Sequence, residues 1–235
     1  MIKDGSILLN IPKNLDYKQA VFFDGMRHAL EIIDFSYKRL YQELTKLSKL
    51  TQYQKNYTHV YVDMWAVIDA IDRFRCLWIM QANSIAIPSP YSTEEINGSL
   101  QQVRNIRNVS SHMAQKIDQI IALNSSVSGS ISWVSVKNIQ PLNIHTFVVR
   151  SGIINGKVSF QFSIPKEKIN FIEGTGNIII ELGAYTINLS QAYEYVCGVS
   201  SYIDEQWSLQ KERLLSLNEP FPHDVFASAE LNLTK

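Results

Sequence analysis

Residues 100–121 read LQQVRNIRNVSSHMAQKIDQII, and the periodicity of this stretch sets the class of the whole chain. At 3.6 residues per turn, Val103, Ile106, Val109, Met113, Ile117, Ile120 and Ile121 fall on one broad apolar face. The spacing predicts a single amphipathic helix that buries this face against other helices. Arg104, Asn108, Ser111, His112 and Gln115 fall on the opposite side. Arg104, Asn108 and His112 are spaced i, i+4, i+8 and line up along that polar face. Arg107 sits at the edge of the apolar face, where its stem can cover carbon surface and carry the guanidinium outward.

A polar helical face is ordinarily just solvated, and that reading stands beside a chemical one. The face holds two Arg, an Asn and a His, with no Lys before Lys116. Histidine exchanges a proton near neutral pH, and arginine offers a fixed fork of donors to a phosphate. Such a pair can act on a phosphodiester without a metal. Arg107 and His112 are five positions apart, about 140° round a helix. The long Arg side chain, or its copy on a second protomer, must therefore complete the site.

Arg107-Asn108, three residues, then His112, inside a helix reading LQQVRNIRNVSSHMAQKID, resembles the motif of HEPN domains (higher eukaryotes and prokaryotes nucleotide-binding). That motif is Arg, four to six residues, then His, often with a polar residue directly after the Arg. The order of long helices around it is also similar, over roughly residues 15–123 and the last helix. The resemblance implies metal-independent endoribonuclease activity of a toxin or defence type, in a homodimer that sets two Arg/His motifs across one cleft. It assigns His112 to move the proton of the ribose 2′-hydroxyl or of the leaving group. Arg107 would hold the phosphate and stabilise its developing charge. Asn108 would orient the imidazole or bind substrate, with Arg104 and Ser111 as further substrate contacts. A branch paired with nucleotidyltransferase antitoxins carries Tyr two residues after the His. Ala114 stands there in this chain, which speaks against control by adenylylation of that position. The resemblance implies RNA, a second copy and an antitoxin or regulatory protein as partners. Two alternatives stay open: an inert binding or scaffold protein of the same fold acting through dimerisation, and an unrelated helical oligomerisation protein.

Composition narrows the classes further. The chain has 235 residues, enough for one domain with a proper core, and 46% hydrophobic content marks an ordinary folded protein. Its 22 basic and 22 acidic residues cancel, so any RNA contact must be local rather than a broad basic clamp. Cys76 and Cys197 lie among apolar neighbours and are expected as buried free thiols, with no metal spacing around them. No zinc cluster, Gly-rich phosphate loop or cofactor motif is present in the sequence, and a serine hydrolase is unsupported because Ser110 and Ser111 point away from His112 on a helix. The N-terminus lacks a signal-peptide pattern, and residues 60–80 are too interrupted by charge for a membrane span. A cytoplasmic address follows by default.

The rest of the chain is expected to supply a mainly helical α+β domain over residues 1–235. A short extended lead-in ends at Asp16, an N-cap with Gln19 at capping-box distance. Helical spacing then runs from Tyr17 to about Ser48, with Gly25 as a weak point. A second, largely buried helix covers about residues 58–82. Its Asp69, Asp72, Arg73 and Arg75 read as ion pairs at an exposed edge; the competing reading has Asp69 or Asp72 orienting Arg107 or His112. Ser92 or Thr93 caps the segment leading into the motif helix. From Ile131 the period changes to two, predicting a small antiparallel sheet over about residues 130–189, before the last helix. One hairpin is expected around Asn155-Gly156 and another around Gly183-Ala184. Ser190 is expected to cap a final helix reaching about Leu217, followed by a flexible tail over about residues 219–235.

Overall fold

The computed structural model describes residues 1–13, 15–50, 56–81, 91–123, 125–150, 174–215 and 224–228. Asp16 opens the first helix, α1 (Tyr17–Leu47), from an extended backbone, and its carboxylate accepts the Gln19 N–H at 3.0 Å. The second helix, α2 (Thr58–Gln81), runs back along α1. At one end of the pair Glu43 meets His59 at 3.0 Å and Arg39 meets Asp63 at 3.3 Å. At the other end Gly25 faces Leu77, whose Cδ1 would lie 3.0 Å from an added Cβ. Gly25, expected to weaken α1, marks instead a close approach of the two helices.

Ser92 caps α3 (Thr93–Ser99) by accepting the Glu95 N–H at 3.2 Å. The motif stretch then differs from its expectation. It forms two helices, α4 (Gln101–Ser111) and α5 (Met113–Ala122), hinged at His112 with φ −110° and ψ 33°. Asn108, Ser110, Ser111 and His112 are all mediocre helix formers, and Ser and Asn side chains compete for the backbone. The break changes what the apolar stripe covers. Val103, Ile106 and Val109 of α4 are buried, but on α5 only Ile120 is.

The switch to strand periodicity is borne out by four antiparallel strands: β1 (Ser130–Ile139), β2 (Leu142–Arg150), β3 (Gly174–Leu182) and β4 (Tyr185–Asn188), in the order β2-β1-β3-β4. The β3–β4 hairpin turns at Gly183-Ala184 as expected. The hairpin expected at Asn155-Gly156 lies outside the described residues. One face of the sheet, with Ile131, Trp133, Val149 and Ile180, joins the helical core. Trp133 donates its indole N–H to Ser48 Oγ at 2.8 Å, fastening the sheet to the end of α1.

The last helix, α6 (Leu189–Leu215), begins one residue before the expected cap. Asn188 does the capping, accepting the Gln191 N–H at 3.1 Å. Ser190 is occupied otherwise: its hydroxyl oxygen accepts from the Ile178 N–H at 3.0 Å and from the Tyr37 hydroxyl at 3.1 Å. Tyr193 stacks on Tyr37 with ring centroids 3.8 Å apart and donates to Asp34 at 2.8 Å. Burial alone would raise the Asp34 carboxyl, but hydrogen bonds from Lys38 and Tyr193 hold it below its ordinary range.

The N-terminal residues are not a plain extended lead-in. They turn repeatedly and bury Ile7, Leu8 and Ile11 in the core, where apolar burial outweighs the lack of regular structure. Near the other terminus Asp224 reaches Arg27 at 2.7 Å. Cys76 departs from expectation by being exposed, because it lies on the outward stripe of α2 with Asp69, Arg73 and Met80; Cys197 is half-buried. Among the described residues no helix is long and apolar enough to cross a membrane.

Candidate functional site

The hinge at His112 lies at the centre of the candidate site. The His112 N–H closes the last turn of α4 on the Asn108 carbonyl at 3.0 Å, and the His112 carbonyl accepts the Gln115 N–H at 3.0 Å. Its side chain is exposed, as are those of Arg104, Arg107, Asn108 and Ser111. The polar face read from periodicity is therefore a real surface. Helix geometry sets Arg104, Asn108 and Ser111 on neighbouring turns. No side-chain hydrogen bond joins any of them to Arg107 or His112 among the described residues.

Arg107 lies apart from this row, against α2. Its Nε is 3.6 Å from Asp69 Oδ1 and 3.7 Å from Asp72 Oδ2. The two carboxylates differ in setting: the Asp69 side chain is 54% exposed, that of Asp72 only 7%. Asp72 has a second, tighter partner, since its Oδ1 accepts from Arg75 Nε at 2.9 Å. Arg75 is itself buried and extends the network, donating from Nη1 to Asn97 Oδ1 on α3 at 2.9 Å and from Nη2 to Cys76 Sγ at 3.3 Å.

The sequence offered two readings of these α2 charges, and the structure contains a part of each. Asp72 and Arg75 do form an ion pair, but a buried one rather than a pair at an exposed edge. Asp69 and Asp72 do face the motif helix, toward Arg107 and not His112. A buried pair such as this needs further hydrogen bonds to offset the loss of water, and Asn97 supplies one. Asn97 had no signal in the sequence beyond being a polar residue in a short capped helix.

A second charged group went unread although its spacing was visible. Asp24, His28 and Glu31 follow at i, i+4, i+7 on α1. They surround Arg27, whose guanidinium meets Asp24 at 2.9 Å, Glu31 at 3.4 Å and Asp224 at 2.7 Å. Burial opposes the Arg27 charge, but hydrogen bonds to Asp224 and Asp24 more than compensate and raise its pKa. At the α1–α2 end, burial pushes the Asp63 carboxyl up against the opposing pull of Arg39 and His59. Among the described residues no group of three His, Cys, Asp or Glu is arranged to hold a metal ion.

No protein-family model matches the chain, and neither a search of curated proteins nor one of solved structures returns a match.

Proposed function

We propose that this is a HEPN-like protein that cleaves RNA phosphodiesters without a metal, with Arg107 and His112 as the reacting pair. The observation that carries the reading is the contrast between the two side chains. Arg107 is held from behind by carboxylates at its Nε, and His112 is exposed at a helix hinge with no bonded partner among the described residues. His112 moves the proton of the 2′-hydroxyl or of the leaving oxygen. Arg107 binds the phosphate and stabilises the charge that grows on it. Asn108, Arg104 and Ser111 contact the substrate from the same exposed face.

Two copies complete the site in this reading. Supporting it, the end of α5 and the turn after it present apolar side chains to solvent: Ile121 is 66% exposed, and Leu123 and Val127, just past the helix, about half. A two-fold pairing over this surface covers it and brings a second Arg/His set to the first. The same exposed surface favours the second reading, an inert binding or scaffold protein acting through its dimer and through a regulatory partner.

The test uses purified protein, a pool of short RNAs and excess chelator. The expected result is cleavage that survives the chelator and leaves cyclic phosphate ends. His112→Ala should abolish it while moving stability by no more than about 0.5 kcal/mol, as for other exposed positions. No cleavage by the parent, or equal cleavage by His112→Ala, overturns the ribonuclease reading and leaves the scaffold.

A further inference from the structure

Arg107 is an exposed arginine whose Nε lies at ion-pair distance from two carboxylates, and the groups behind it are arranged in depth. Asp72 divides its carboxylate between two cations on different helices. Oδ1 takes the Arg75 Nε at 2.9 Å, and Oδ2 lies 3.7 Å from the Arg107 Nε. Arg75 in turn is fixed by Asn97 at 2.9 Å. The result is a relay across three helices, from Asn97 on α3 through Arg75 and Asp72 on α2 to Arg107 on α4. Its inner members are buried, so their rotamers are set by packing. The outer carboxylate, Asp69, is exposed and carries less positional information.

The orientation is informative. Both carboxylates lie closest to Nε, the atom nearest the stem, at ion-pair distances of 3.6 and 3.7 Å rather than in hydrogen bonds. Neither terminal nitrogen of Arg107 has a hydrogen bond to a described residue. A guanidinium held in this way keeps its Nη1 and Nη2 donors for an oxyanion, and a phosphate accepts both at once.

We propose that Asp72 is a positioning residue: backed by Arg75 and Asn97, it holds Arg107 by Nε so that the two terminal nitrogens are presented to an RNA phosphate. The proposal rests on the reading of Arg107 and His112 as the site for RNA. Asp72 itself touches no substrate and transfers no proton. Its carboxylate also opposes the RNA charge, which gives its removal a distinctive kinetic form. In Asp72→Asn, kcat should fall about tenfold or more because the phosphate-binding fork is no longer aimed. KM should stay level or drop, since one repelling charge has gone. A merely structural defect would lower the amount of active protein without this split.

The decisive readout does not depend on cleavage. In the 15N-labelled protein the Arg107 Nε–H signal is identified by its loss in Arg107→Lys. Its exchange with water should be slower in the parent than in Asp72→Asn by at least about fivefold, with Asp69→Asn near the parent. Should Asp72→Asn not fold, Asp72→Glu keeps the charge for Arg75 but displaces it, and the same quickening is expected. Equal exchange in the parent and the Asp72 variants overturns the proposal. A loss confined to Asp69→Asn also overturns it and moves the role outward. An Asp72-dependent signal in a protein that cuts no RNA supports the positioning contact and overturns only the ribonuclease reading.

Discussion

Replacing Ile106 and Ile121 separately by alanine tests the division of the motif stretch into α4 and α5. Both residues belong to the one apolar stripe that periodicity assigns to a single helix. Ile106 is fully buried, whereas Ile121 is 66% exposed. Ile106→Ala removes buried carbons and leaves a cavity beneath α4, at a cost of about 2–5 kcal/mol. In a chain of this size each kcal/mol lowers Tm by about 2–4 °C, so a loss near the middle of that range lowers it by about 7–14 °C. Ile121→Ala gives up little burial and gains a better helix former, so its net effect stays within about 0.5 kcal/mol. Urea unfolding followed by circular dichroism, at several protein concentrations, reads both values. Equal costs at every concentration would refute the hinge, because α5 would then pack on the core as a continuation of α4. A cost for Ile121→Ala that vanishes on dilution supports the two-copy arrangement.

Asp34 should give the protein a pH-dependent margin. Its carboxyl is held below the ordinary aspartate value of 3.8, so its stabilisation is fully present above that pH and is lost as pH falls through the lower folded value. Asp34→Asn should therefore melt lower than the parent at pH 7, with the gap closing in acid; a gap independent of pH would contradict the assignment. Gly129 and Gly183 both have positive φ, at 81° and 60°. Alanine at Gly129 would also set its Cβ 2.9 Å from the Glu181 carbonyl oxygen, whereas at Gly183 the nearest atom is Val109 Cγ1 at 3.8 Å. Gly183→Ala should cost about 1–2 kcal/mol from backbone strain alone, and Gly129→Ala distinctly more; equal melting shifts would contradict this.

Local chemistry was legible and tertiary choice was not. Asp16 and Ser92 cap the helices that periodicity assigned to them, because a cap is decided within four residues. The turn at Gly183-Ala184 was readable for the same reason. Ser190 and Asn188 are both competent caps, and what separated them was a partner far along the chain: Tyr37 and Ile178 claim the Ser190 hydroxyl. The hinge at His112 was hidden because the apolar stripe continues through it unbroken. Burial of Ile7, Leu8 and Ile11 was hidden because a turn-rich plug has no period. At the candidate site, exposure of Arg104, Asn108, Ser111 and His112 follows from the polar face alone. Which α2 carboxylate backs Arg107 depends on how α2 and α4 are rotated against each other, and no spacing within one helix encodes that.

The contact between Tyr37 and Ser190 spans 153 residues, which has a consequence during synthesis. The α1–α2 hairpin can form as soon as residue 81 has left the ribosome, but on the flank of α1 carrying Tyr37 and Asp34 the partners Ser190 and Tyr193 come from α6. At translation speeds of 5–20 residues per second, about 8–30 s separate the appearance of Tyr37 from that of Ser190. Throughout that interval the nascent hairpin displays an apolar flank whose partner has not been made. A nascent chain stalled before residue 189 should accordingly be a ready client for chaperones that recognise exposed apolar surface, and release through α6 should end that recognition.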